Sequence, residues 1–354
     1  MNNTLTKSEK TYLTLRELYE SYGYRKYAMR KFEEYSLYLE HKNFLTSEYI
    51  LTFNDHHGRL MALKPDVTLS ILKNSTGTDR SEKVYYKESV YRLDRQSSEY
   101  REIEQLGLEM INCTDMLSLT ELCALAKGSL DAVDADNVLC VSDMGYVTSM
   151  MDALDAPEGL REEIVSFIRA KNAHELKGAL IKAGAEENYA DSFSLLINFS
   201  GDNGELLDLA EKHALNEGMR NAVFSLRKIA DGATGGVSVD LTLINDTAYY
   251  NGIVFSGYVS RIPRAVLNGG CYDRLAEKFG KNRGAAGFAL CLSELNAYYN
   301  ERPEYDADLL LLYSDASDIE KVIDTAQEYR KSGKSVRTER SEPEGLRFKE
   351  IIKL

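Results

Sequence analysis

Chemistry is densest between Lys83 and Ile111, KVYYKESVYRLDRQSSEYREIEQLGLEMI, where Gln105, Gly107 and Glu109 recur at every second position. Strand side chains alternate between faces, so these three share one surface while Leu106, Leu108 and Met110 point into a core. An amide and a carboxylate on either side of a glycine leave a gap for a small ligand that offers donors. The amino group or ring N–H of an amino acid has that character. The competing reading is a polar strand face that is simply solvated.

The elements around this segment must hold it in place. Leu15, Leu18, Tyr19 and Tyr22 are spaced as the stripe of an amphipathic helix, and Gly23 stands where a C-terminal cap belongs. SEYILTFNDHHGRLMALKP alternates apolar and polar residues about NDHHG, which predicts a β-hairpin ending at Pro65 with His56 and His57 in its polar turn. Pro65 suits a helix start, with Asp66 and Thr68 in the first turn. From Asp115 to about Ala230 the pattern is helical almost throughout, broken at Gly184 and at Ser200 to Gly204. Strands are expected again in GGVSVDLTLIND, AYYNGIVFSGYVS and RAVLNGG, and GAAGFALCLSELNAYY reads as a small-residue strand running into a helix. The order predicts an α+β antiparallel sheet with a helical insertion. After Arg302–Pro303, ADLLLLY, DIEKVIDTAQEYRKSGK and SVRTERSEPEGLRFKEIIKL predict a small, truncated β-α-β appendage. The expected domains are thus residues 1–302, with an insertion over about 115–230, and 303–354.

Composition narrows the function classes. The chain has 354 residues, 44% of them hydrophobic, which suffices for a full core. No apolar run approaches bilayer length, and the first residues lack the basic, apolar and small-residue regions of a secretory signal, so a cytoplasmic protein without a membrane partner is expected. The five cysteines, Cys113, Cys123, Cys140, Cys271 and Cys291, are widely spaced with no CxxC pair; they read as reduced and mostly buried, with no metal site. A formal net charge of -13 repels a polyanion, so no nucleic-acid partner is expected. Eight Lys or Arg against four Glu from Arg330 onward read as a solvated tail.

Taken in order, LKPDVT, YRLDR followed by YREIEQLGLE, AYYNGIVF, NGGCYDRL and GAAGFALCLSEL resemble the catalytic domain of histidyl-tRNA synthetases, a class II synthetase fold, over roughly residues 10 to 300. The resemblance implies that Asp66 and Thr68, aided by Gln105, hold a ligand's ammonium group. It also implies that Glu109 and Tyr250, with Tyr249 beside them, hold an imidazole. These pairings are chemically sound: carboxylate meets ammonium, and acid plus phenol can serve both ring nitrogens. Arg92 matches an anion-binding arginine of the family; its other reading is an ion pair with Asp94 or a neighbouring acid.

The activating cations differ. Asn245 and Ala248 stand where the family has the arginine and aspartate of RGLDYY, and losing such a preorganised cation costs about a hundredfold to a thousandfold in rate. Glu294 replaces the arginine that ends the third class II motif, so an anion is expected to face the triphosphate and repel it. Cys271 replaces the arginine of GGRYD, and the motif-one proline is missing, since Pro65 is the first proline. With a C-terminal RNA-binding region reduced to a stub, the chain resembles the synthetase-like regulatory subunits of ATP phosphoribosyltransferase. That resemblance implies no catalysis and no cofactor. It further implies a self-dimer, a hetero-octamer with the short-form catalytic subunit of histidine biosynthesis, activation of that subunit, and histidine as feedback effector. The alternatives are a divergent histidyl-tRNA synthetase, or an amino-acid-binding module with another partner.

Overall fold

A computed structural model describes residues 5–45, 49–75, 80–94, 97–245, 249–299 and 304–354. Helix α1 (Lys7–Ser21) buries Leu15 and Tyr19 and stops at Gly23, whose φ of 81° is the left-handed cap that its missing side chain permits. Strand β1 (Arg25–Lys26) joins the main sheet. Next come β2 (Phe32–Glu34), α2 (Tyr35–Glu40), β3 (Thr52–Asn54) and β4 (Leu60–Leu63), the strands forming a small antiparallel sheet in the order β2-β4-β3. The hairpin turns as expected, because the Asp55 carboxylate accepts the backbone N–H of both His57 and Arg59 at 2.9 Å. Helix α3 (Thr68–Asn74) begins later than Pro65 predicts. Asp66 therefore precedes it, with its carboxylate accepting the Leu69 N–H at 2.9 Å.

The main sheet takes β5 (Glu82–Asp94) and β6 (Glu99–Ile111), and after α4 (Met116–Val133) a strand inside the block expected to be helical, β7 (Asn137–Asp143). Leu139 and Val141 are buried while Val138 is exposed, the two-residue alternation of a strand, and this overrides the helical background. The insertion continues as α5 (Met144–Ala153), α6 (Glu158–Arg169), α7 (Ala173–Lys182), α8 (Glu187–Leu196), α9 (Asn203–Lys212) and α10 (Glu217–Gly232), with breaks at Gly184 and before Asn203 as expected. Among the described residues of GGVSVDLTLIND only β8 (Ser238–Val239) is strand. The Asp240 carboxylate turns back to accept the Thr242 N–H at 2.9 Å and hydroxyl at 2.6 Å, which ends it. Then follow β9 (Ile253–Val259), β10 (Leu267–Cys271), α11 (Asp273–Lys278), β11 (Ala285–Cys291) and α12 (Leu292–Tyr299).

The eight strands run in the order β1-β5-β6-β11-β10-β9-β7-β8. Pairing is antiparallel through the middle and parallel only at the edges, β1 on β5 and β8 on β7. Helices α1 and α4 lie together on one face, with the Tyr19 and Ser129 hydroxyls hydrogen-bonded at 2.8 Å.

Lys7–Tyr298 forms one compact unit and Tyr299–Leu354 belongs to another. The expected boundary at Arg302–Pro303 lies outside the described residues. The smaller unit holds β12 (Ala307–Leu312), α13 (Ile319–Lys331), β13 (Val336–Glu339) and β14 (Phe348–Lys353), a parallel sheet in the order β13-β12-β14. The appendage thus has one strand more than expected; the charges of FKEIIKL mask its strand pattern. Its basic cluster is largely paired, Arg337 with Glu339, Lys334 with Glu350, and Lys349 with Asp308. All five cysteines are free thiols, but only Cys123 and Cys271 are buried. Among the described residues no helix is long and apolar enough to cross a membrane, and no cluster of His, Cys, Asp or Glu could hold a metal ion.

Candidate functional site

Register across the central strands sets the site. Gly107 on β6 faces Tyr86 on β5 and Ala289 on β11, and Glu109 faces Gly287 on β11. A side chain at Gly107 would overlap the Tyr86 ring, so the gap expected to admit a ligand is filled by that phenol. At Gly287 a side chain would collide with the Glu109 carboxylate and the Leu108 carbonyl. This glycine is the one that makes room, and what it admits is the acid.

Around these positions lies a cavity of about 310 Å³. Every residue assigned to the amino-acid pocket lines it: Asp66, Thr68, Gln105, Glu109, Tyr249 and Tyr250, together with Arg92. At its inner end Glu109 is 3% exposed. The Thr68 hydroxyl donates to Glu109 Oε1 at 2.7 Å, and the Tyr272 hydroxyl donates to Oε2. Burial nevertheless dominates those two donors and the nearby charge of Asp66 works against them, so the carboxyl is pushed up to about 8. The phenols are buried with it. Burial drives the Tyr86, Tyr249 and Tyr272 hydroxyls well above the ordinary tyrosine range, keeping them neutral donors. The Tyr249 ring packs tilted against two others, 4.6 Å from Tyr250 and 5.8 Å from Tyr272 between centroids.

The outer end carries the charges. Arg92 donates through Nε to the Pro65 carbonyl at 2.8 Å and approaches Asp66 at 3.8 Å. Of the acids open to it, Arg92 meets Asp66, while Asp94 pairs with Arg101 at 2.9 Å. Arg92 and Asp66 both border the cavity. Burial raises the Asp66 carboxyl, and Arg92 only partly offsets this. Gln105, Asn245 and Asn268 add neutral amides, and Arg92 is the sole cation among the described wall residues.

The substituted positions divide. Asn245 lines the cavity, whereas Ala248 lies outside the described residues. Glu294 is not the bare anion expected of it: Arg264 pairs with it at 2.8 Å, away from the described wall. Cys271 is buried and absent from the wall, while its neighbour Tyr272 reaches Glu109. Sequence reasoning missed Tyr86 and Tyr272. Reflecting the β5–β6 hairpin about its turn would have paired Tyr86 with Gly107; nothing local marks Tyr272 beyond its place in NGGCYDRL.

As a chemical device, the cavity offers a protonatable carboxyl ringed by hydroxyls at one end and a carboxylate, a guanidinium and amides at the other. That suits a zwitterionic ligand of amino-acid size with a nitrogenous ring. The histidyl-tRNA synthetase family model matches residues 2–295. Similar curated proteins include the histidine–tRNA ligase of Methanocaldococcus jannaschii, 26% identical over 334 residues covering 92% of this chain and 80% of that protein. They also include the ATP phosphoribosyltransferase regulatory subunit of Alkaliphilus metalliredigens, 26% identical over 335 residues covering 90% and 84%. Among solved structures, an ATP phosphoribosyltransferase regulatory subunit/histidyl-tRNA synthetase from Bacillus halodurans shares the fold with a TM-score of 0.78, at 22% identity, covering 100% of this chain and 96% of that one.

Proposed function

The chain belongs to the histidyl-tRNA synthetase family, and from that premise we propose that it works as a regulatory subunit of ATP phosphoribosyltransferase rather than as a ligase. One observation carries the proposal: the residues assigned to an amino acid all border the cavity, while Arg92 is the only cation among its described walls. Forming an aminoacyl-adenylate spreads negative charge over phosphate oxygens, and such charge needs preorganised cations. Binding an amino acid needs only the inner hydroxyls and acid with Asp66 at the ammonium end.

On this reading the ligand's ammonium sits by Asp66, Thr68 and Gln105, its imidazole by Glu109 with Tyr249 and Tyr250, and its carboxylate toward Arg92. The partner is the short-form catalytic subunit of the first step of histidine biosynthesis, met as a hetero-octamer in which this chain self-dimerises in the cytoplasm. Residues 1–302 form the synthetase-like body and residues 303–354 an appendage. Histidine inhibits by favouring one state of the assembly, which requires unequal affinity for the two states. A coupling of about 1 to 3 kcal/mol is typical.

Reconstitution tests this directly. Adding the chain to a short catalytic subunit with ATP and phosphoribosyl pyrophosphate should raise turnover, and histidine should lower it again; unchanged turnover on mixing sinks the proposal. The ligase reading retains one point in its favour, since a histidine–tRNA ligase matches at the same 26% identity. Histidine-dependent pyrophosphate exchange by the chain alone would establish that reading instead.

A further inference from the structure

Ahead of Tyr249 and Tyr250, residues Leu241–Asn245 lie in neither strand nor helix, yet they carry Asn245 into the cavity wall. They are gripped from the opposite side by the helical insertion. Arg169, the last residue of α6, donates through Nε to the Ile244 carbonyl at 2.8 Å and through Nη2 to the Asn245 carbonyl at 2.6 Å. Two residues on, Lys171 adopts a left-handed φ of 51° and reaches Asp240 at 3.5 Å. The other oxygen of Asp240 holds Thr242. The end of one helix thus fixes both ends of a short irregular stretch.

We propose that Arg169 is a positioning residue that holds the Asn245 wall of the cavity from the helical insertion, and so tunes the ligand affinity of a site it does not touch. The inference rests on reading the cavity as a histidine site. Consecutive carbonyls suit a guanidinium, whose fork presents two donors in a fixed plane; a lysine could serve one at a time. Hydrogen bonds from a charged donor are stronger than those between neutral groups. Position 245 is also where the synthetase resemblance places an arginine inside the site. In this chain a guanidinium acts on the same residue from outside, through its backbone.

The test compares wild type, Arg169→Ala and Arg169→Lys. Amide hydrogen exchange over Thr242–Asn245 is measured without ligand, and L-histidine is titrated by calorimetry. Arg169→Ala should exchange faster over that stretch and bind histidine roughly five- to fiftyfold more weakly. Arg169→Lys should fall between, and millimolar guanidinium should restore Arg169→Ala in part while the unfolding midpoint stays near wild type. Unchanged exchange overturns the proposal, as does weaker binding that guanidinium cannot restore and that follows a lowered midpoint. Should wild type give no heat with histidine, the histidine reading falls separately. Exchange then decides the positioning role: protection lost in Arg169→Ala and regained with guanidinium upholds it, and protection that survives the substitution overturns it.

Discussion

The two ends of the cavity solve different problems. At the inner end, Glu109 accepts from Thr68 and Tyr272 and sits behind Gly287, so every polar atom of the acid is engaged and the backbone is shaped to fit it. At the outer end, Arg92 and Asp66 face each other at 3.8 Å, a loose pair with 23% and 14% of their side chains exposed. A rigid, dry end can discriminate a ring by hydrogen-bond pattern, because a wrong ligand leaves buried groups unpaired. A wetter end handles net charge and tolerates substitution. Asn245, the substituted position that lines the cavity among the described residues, belongs to the second kind.

The sharpest way to break this contrast is Gly287→Ala. Its new methyl would meet both the Glu109 carboxylate and the Leu108 carbonyl, and backbone cannot step aside as a flexible side chain can. Overpacking there should cost about 3 kcal/mol in denaturant unfolding. A variant as stable as wild type would mean that the inner end is soft.

Acidity separates the ends next. With its folded carboxyl at about 8 against an ordinary value of 4.5, Glu109 stays protonated in the fold where the unfolded chain has already ionised. The unfolded state then binds fewer protons, so stability falls as pH rises between those values and levels off above the higher one. Unfolding free energies of wild type and Glu109→Gln across that range should converge at the acid end and diverge toward pH 8, the glutamine variant lacking the decline. Parallel curves would show that the inner carboxyl is solvated.

The smallest effect belongs to the outer end. Arg92→Gln should alter stability by no more than about 1 kcal/mol, as a partly exposed pair implies. It should weaken L-histidine by roughly tenfold, the scale of one charged hydrogen bond. Histamine, which has no carboxylate, should bind both proteins alike in calorimetry. Equal losses for the two ligands would place Arg92 elsewhere than at the carboxylate.

Much of this was readable from residue order. The alternation of Gln105, Gly107 and Glu109 placed an acid and an amide on one face, and Asp66, Thr68, Tyr249 and Tyr250 all border the same cavity. Where reading failed, the deciding partner lay far along the chain. Gly107 is small because of Tyr86, a matter of cross-strand register; Glu294 is tamed by Arg264, thirty residues upstream. Asp66 stays outside α3 because its carboxylate binds the helix's own N–H. Strand β7 hid among helices because a seven-residue strand is brief beside the periodic segments around it.

The small unit's sheet has a consequence of its own. Among the described residues β13 and β14 each pair with β12 on one side only, so both rims present a ladder of N–H and C=O groups to any extended chain that drifts alongside. Arg337 on one rim and Lys349 and Lys353 on the other are exposed. Acids stand beside them, Glu339 next to Arg337 and Glu350 next to Lys349. Charged edges of this mixed kind blunt the rims as templates for a further strand.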